Sequence, residues 1–475
     1  MRNPSLTLRR PAHRLTLLLG ALCVAAALLP GASLAHQGVD HTSALPAARP
    51  SDAAKHAQMQ GRVGTIVVTS RVTGQQQAHQ VLETSDGTRY LLKNTNPLPA
   101  GANVVVSGRV DGRVLWSEST RALAAPAARS AGPRGTLTGT LRMFHIDYDD
   151  GRPAEFGFAL IDDNGKPNIV DLGTSLPMLQ NGMRATIAGP ADAHGYITVD
   201  TIEILAPPAI KPPPAKASAA DAPLGVTTGY LTMPLQYPNN SAAPWTYNAE
   251  PFNVTSITNS VYGASPLQSV AEYYKEVSFG AQLVSGVVAN AGGTWLKATV
   301  ARPTACGTSA QLNAVLASIE SQADAAATAA GFNPGSFTGV LYVVDALPCG
   351  WAGLGYIGWE RSYTKGTASL GVVGHEFGHN FGLYHAGSLD CAANVIAASG
   401  CSVTEYGDPF DIMGNIRSMH FNAYQKQLLG YIAGATVTTH SAGSQTYMLG
   451  PIELAGQSRY AVRVPTGSSS RTYWL

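Results

Sequence analysis

The 475-residue chain reads as an α+β protein, with two small all-β segments ahead of a larger part in which strands and helices mix. Three observations carry this reading. Residues 61–205 alternate apolar and polar side chains in short runs broken by Asp86-Gly87 and Asn164-Gly165, the pattern of half-buried strands joined by tight turns. Residues 206–225, APPAIKPPPAKASAADAPLG, form a Pro/Ala-rich linker. Beyond it, apolar residues recur with helical period, and the runs are punctuated by Ser, Pro and Gly.

Composition narrows the function classes. A formal charge of +1 gives no basic excess for nucleic acid. Only 13% of residues are charged, against a usual ~25%, which argues against a coiled coil or an acidic disordered tail. With 50 Gly and 30 Pro the chain is rich in turns.

Taken in order, residues 1–35 read as a secretory signal peptide. Arg2, Arg9, Arg10 and Arg14 form its basic region, Leu15 to Leu29 its apolar region, and Ser33-Leu34-Ala35 its cleavage site. The apolar run is short for a bilayer span of ~20 residues, and no later run replaces it. Residues 36–60 are an Ala/His/Pro/Ser-rich leader without periodicity. Residues 61–130 and 131–205 then look like repeats of one β plan, each opening on alternating strands and closing on a Gly-led strand pair. In the part from 226 to 475, Ser265-Pro266-Leu267-Gln268 reads as a helix start, with Leu267, Val270, Ala271, Tyr274 and Val277 on one apolar face. An Ala-rich helix is expected over 310–330, a buried strand over 340–344, and a further helix from about Ala368 to Phe381.

Cysteine usage fits an oxidising compartment. Cys23 leaves with the signal, and Cys306, Cys349, Cys391 and Cys401 remain. Four cysteines allow three pairings. Cys391–Cys401 closes a short loop, which leaves Cys306–Cys349. A Cys₄ zinc site is the alternative, without any C-x₂-C spacing in its favour.

The last helix contains His375-Glu376-Phe377-Gly378-His379. The two histidines lie one turn apart on one face, so both rings can reach one Zn²⁺ at ~2.0–2.1 Å. Glu376 is offset from that face, placed to reach a metal-bound water rather than the metal. His385 follows six residues after His379, and Gly382 supplies the left-handed turn that brings it back as third ligand. Three His ligands leave a fourth position open, which marks a catalytic site. Downstream, Tyr406 to Gly414 (YGDPFDIMG) places Met413 in a tight turn. HExxHxxGxxH followed by such a Met is the metzincin signature.

HEFGHNFGLYHA, EYGDPFDIMG and SMHFNAYQKQLLGY together resemble the gametolysin-like family of secreted zinc metallopeptidases. The likeness spans roughly residues 226–475. It implies a metzincin-like fold, His375, His379 and His385 as zinc ligands, Glu376 as catalytic base, and Met413 as a hydrophobic floor rather than a ligand. Three departures stand out. Position 415 is Asn where some metzincins place a tyrosine, which leaves Tyr406 or Tyr424 for the oxyanion. Ala386 offers no polar group behind the third histidine. The chain ends at Tyr473-Trp474-Leu475 inside an apolar run, as a cut or unusually short strand would.

The expected function is therefore a secreted zinc endopeptidase, monomeric, without membrane span after signal removal and without nucleic-acid partner. Its substrates would be extracellular proteins or wall or matrix glycoproteins. Glycines 353–358 read either as an edge strand for an extended peptide or as a plain loop. Residues 36–205 read as a pro-region or as accessory binding domains, with the pro-region favoured. No Cys lies between residues 36 and 305, so latency would need an Asp, a His or steric blockage. Other readings carry less: an amino-terminal His36 bracing copper lacks a held second ligand, and a non-catalytic zinc adhesin would not require Glu376. Asp390, Asp408 and Asp411 suggest calcium only by proximity, and Asn239 and Asn253 are glycosylation acceptors in a eukaryotic host.

Overall fold

The computed structural model describes residues 15–16, 54–93, 95–123, 133–148, 154–172, 174, 176–193, 195–208, 226–264, 268–391, 401–414, 419–465 and 472–475. The signal peptide (apart from 15–16), the leader to residue 53 and linker residues 209–225 lie outside them. The architecture is α+β, dominated by one large mixed sheet.

The first five strands are β1 (Lys55–Ser70), β2 (Gln76–Thr84), β3 (Arg89–Lys93), β4 (Asn103–Asp111) and β5 (Val114–Ala122). They pair in the order 1-2-3-5-4, and β4 closes back on β1, the order of a five-stranded OB-type barrel. Val63, Leu82, Val104, Val106 and Leu115 fill its interior. The leader ends earlier than expected, because Lys55–Gln60 pair with Val110–Val105. Their side chains are mostly exposed, and only Ala57 and Met59 turn partly inward, too short an alternation to mark the strand.

The next five are β6 (Arg134–Tyr148), β7 (Glu155–Asp162), β8 (Pro167–Val170), β9 (Arg184–Pro190) and β10 (Thr201–Ala206). Their pairings, β6 with β7 and β9, β7 with β8, and β9 with β10, follow the order of the first five. Here β10 joins β1 in parallel, so the two segments share a sheet.

In the C-terminal part, β11 (Val226–Gln236), β12 (Gln282–Val288) and β14 (Gly339–Val344) are parallel neighbours, with the short β13 (Leu296–Lys297) also on β11. β16 (Arg361–Lys365) extends this parallel set and β15 (Trp351–Tyr356) pairs with it antiparallel. Successive side chains of a strand face opposite ways, and β14 uses both faces. Val340, Tyr342 and Val344 pack with Leu312, Val315 and Ile319 of α3 (Ser309–Ala329). Leu341 and Val343 pack with α1 (Val254–Tyr262), α2 (Val270–Val277) and α4 (Leu370–Asn380). A reciprocal Thr308–Gln311 capping box opens α3, and Gly331 follows it at φ +90°.

The helix expected from Ser265 starts later. Residues 265–267 lie outside the described set, and α2 begins at Val270, where the Ser269 hydroxyl accepts from the Glu272 amide. Ser269, followed three residues later by the acidic Glu272, holds the cap. Disulfides join Cys306 to Cys349 and Cys391 to Cys401, the pairing the short-loop argument favours. Among the described residues no helix is long and apolar enough to cross a membrane.

Candidate metal centre

The sequence of α4 builds the site. Ser369 precedes the helix, and Val373 and Phe377 are fully buried beneath it. Phe377 stacks on Tyr230 with centroids 3.9 Å apart. The helix ends in a complete Schellman motif: the Leu383 amide donates to the Gly378 carbonyl at 3.0 Å and the Gly382 amide to the His379 carbonyl at 2.8 Å. Gly382 stands at φ +105°, a backbone region that a Cβ disfavours. That turn sends His385 back beneath the helix.

The rings of His375, His379 and His385 form a near-equilateral triangle, with centroids 4.9, 5.1 and 5.0 Å apart. Each Nδ1 is fixed by an oxygen: His375 to the Ile412 carbonyl at 2.7 Å, His379 to the Leu383 carbonyl at 2.8 Å, and His385 to Glu405 at 2.8 Å. A hydrogen on Nδ1 leaves the Nε2 lone pair free to coordinate. Burial pushes His375 down to about 3 and also lowers His379, so both rings are neutral.

Beneath the triangle Met413 is fully buried. A Cβ on Gly378 would lie 2.2 Å from its sulfur, so the glycine inside the motif makes room for the methionine. The turn is fixed by Asp411, whose carboxylate accepts from the Met413 and Asn422 amides at 2.8 and 2.6 Å. Asp408 likewise accepts from the Phe410 amide. These bonds give the two carboxylates structural work, and nothing in their arrangement supports the calcium expectation. Burial, only partly offset by the amides, pushes Asp411 up to about 7. A raised acid contributes stability that is full below its unfolded value near 4 and is lost as pH rises toward 7. Asp411→Asn removes that loss: as pH rises from 4 to 7, the wild type should fall relative to the variant by up to about 4 kcal/mol. Parallel denaturation curves would count against this.

Within the C-terminal part, Glu405 and Asn380 were missed by sequence reasoning. Glu405 supplies the polar contact behind the third histidine that Ala386 cannot, and its only signal is its place at the head of the EYGDPFDIMG run. Asn380, fully buried, donates to the carbonyls of Tyr356 and Arg361 and accepts from Ser362 and Tyr230. It ties the end of α4 to β11, β15 and β16.

Glu376 is buried against β15. A Cβ on Gly353 would stand 1.9 Å from its Oε1, and one on Gly355 2.8 Å from its Oε2. The Gly-rich run is thus a strand, and its glycines leave room for this carboxylate.

The largest addition comes from the N-terminal half. β6 pairs antiparallel with β15, aligning Asp147 with Gly353, Ile146 with Leu354 and His145 with Gly355. The Asp147 carboxylate lies 3.6 Å from Nε2 of His375, 3.6 Å from that of His379 and 2.9 Å from that of His385. It also accepts from the Tyr406 hydroxyl, whereas the Tyr424 ring packs on Trp474. His145 stacks on His379 with centroids 4.4 Å apart.

Electrostatics at this point call for a cation. Burial would raise Asp147, but His385 and His375 outweigh it and hold the carboxyl well below its ordinary range. Burial and Asp147 hold Glu376 well above that range. At His385 the Asp147 and Glu405 carboxylates overcome burial and raise the ring to about 9. Positive charge is therefore demanded beside its Nε2, from a proton or a metal ion. All three Nε2 atoms, Asp147 Oδ2 and Glu376 Oε2 are buried without a hydrogen bond. Donors bound tetrahedrally to one zinc at ~2.0–2.1 Å stand about 3.3–3.4 Å apart, within the 2.9–3.6 Å spread seen here. The residues fit a metal.

Three free imidazole nitrogens around one point, with a buried carboxylate alongside, are the donor set of a metal-dependent hydrolase. Residues 245–449 match the family described as gametolysin peptidase M11, a match that supports a metallopeptidase. The comparison with curated proteins gives no match. One solved structure, described as "Structure of a chaperone-substrate complex", aligns at 14% identity over 55% of this chain and 34% of that one, with a TM-score of 0.21. The chain spans about a third of that chain's length, and a score this low carries no argument.

Proposed function

We propose that the chain is a secreted, zinc-dependent endopeptidase of metzincin type, made as a latent precursor, that cleaves extracellular proteins or wall or matrix glycoproteins. The observation that carries this is the triangle of His375, His379 and His385, each Nδ1 held by an oxygen and each Nε2 free, with Glu376 buried beside it. Zinc, when bound, supplies a Lewis acid that activates water and polarises the scissile carbonyl. Glu376 takes the proton from the attacking water and passes it to the leaving amine. Gly353 and Gly355 keep space for its carboxylate. The Tyr406 hydroxyl, which meets the Asp147 carboxylate, is the donor placed to meet a substrate oxygen at the same point.

The pro-region reading of the N-terminal strands is supported by β6, which lies along β15 where an extended peptide would pair. The test is casein hydrolysis by the mature full chain before and after limited proteolysis, each with and without a chelator. Activity that appears on proteolysis, disappears with chelator and returns with zinc is expected. Activity indifferent to chelator would sink the metallopeptidase reading.

A further inference from the structure

The HExxHxxGxxH run accounts for three donors, and the fourth buried donor lies outside it. Asp147 sits on a strand of the N-terminal half, more than two hundred residues from the histidines. Side chains two apart on a strand share a face, and β6 turns both His145 and Asp147 toward the triangle. His145 covers the His379 ring, and the Asp147 carboxylate reaches all three Nε2 atoms. Opposite them on β15 stand Gly355 and Gly353, so no side chain of that strand intervenes. Asp147 is only 3% exposed, and its Oδ2 carries no hydrogen bond. A buried carboxylate oxygen without a proton donor is costly unless a cation meets it.

We propose that Asp147 is the fourth ligand of this metal centre in the intact chain, delivered by β6 into the coordination position that hydrolysis needs open. The proposal rests on the reading of the three histidines as metal ligands. A carboxylate oxygen suits zinc as well as imidazole nitrogen does. Tyr406, donating to the same carboxylate, fixes its orientation. The backbone pairing of β6 with β15 holds the aspartate in place as an extended peptide would be held. The intact chain thus supplies its own occupant for both the metal's open position and the strand edge beside it.

The test uses the mature full chain loaded with Co²⁺ in place of zinc, read by its visible absorption, with acetohydroxamate as a probe of an open coordination position. In the wild type the cobalt bands should not respond to the probe. In Asp147→Ala they should shift, because water replaces the carboxylate, and they should then respond to the probe. Casein hydrolysis by the uncleaved variant should rise roughly tenfold or more, as the competent fraction grows. A wild-type spectrum that responds to the probe, or an Asp147→Ala spectrum identical to the wild type, overturns the proposal while leaving the three-histidine site standing. Should Asp147→Ala not fold, Asp147→Cys decides. A near-ultraviolet thiolate-to-cobalt charge-transfer band places residue 147 on the metal, and its absence removes it. Failure of the wild type to bind cobalt, with His379→Ala indistinguishable from it, would overturn the metal reading itself.

Discussion

Glu376→Gln should lower peptide hydrolysis by the proteolytically activated chain about 10²–10⁴-fold, the span that a positioned general base contributes, while metal content stays unchanged. Glutamine keeps the shape and volume of glutamate, so the pocket against Gly353 and Gly355 remains filled. It cannot accept the proton. The substitution also replaces an ionisable group, buried beside another carboxylate, with a neutral amide, so the melting temperature should hold or rise. Activity and metal content measured on one preparation separate this from loss of the site. Hydrolysis near the wild-type rate would remove Glu376 from the chemistry.

Gly353→Ala should approach the same loss by displacement instead of deletion. The new methyl would be built 1.9 Å from Glu376 Oε1 and 2.6 Å from its Cδ, far inside contact distance. Overpacking of this kind costs about 1–3 kcal/mol, and a carboxylate displaced by about 1 Å can cost ~10²-fold in rate. The effect should fall on kcat more than on KM, because Gly353 acts through the base. The decisive comparison is the double variant. If both changes act through one carboxylate, Gly353→Ala adds little once Glu376 is glutamine. Losses that multiply, or a kcat left untouched by Gly353→Ala, would break the link.

What the sequence disclosed about the site follows the range of its interactions. His375, His379 and His385 are legible because helix geometry and one glycine turn fix their relative positions within eleven residues. Met413 is legible as a motif element, but the reason for Gly378 is not, since the contact crosses between segments. Asp147 lies in FHIDYDD, where alternation announces a strand and nothing more. Its role depends on β6 meeting β15, and no local rule names the partner of a strand so distant in sequence. Glu405 and Asn380 belong to the same class: ordinary polar residues whose importance appears only with their partners. At the level of the fold, the periodic runs at 310–330 and 368–381 place α3 and α4 to within two residues, whereas α1 has no counterpart among the expected helices and α2 starts five residues past Ser265. Lys55–Gln60 are hard to read as a strand because only Ala57 and Met59 turn partly inward among exposed polar side chains.

The sheet that runs unbroken from the barrel strands through β6 into β15 has a consequence for dilution. While the chain is whole, the strand along β15 competes with substrate at a fixed effective concentration, of order mM for a short tether, however dilute the protein. A cut within residues 206–225 leaves the strand in its groove but makes its return, once it has left, second-order. The onset of hydrolysis after such a cut should then depend on protein concentration, slow in a concentrated sample and fast in a dilute one.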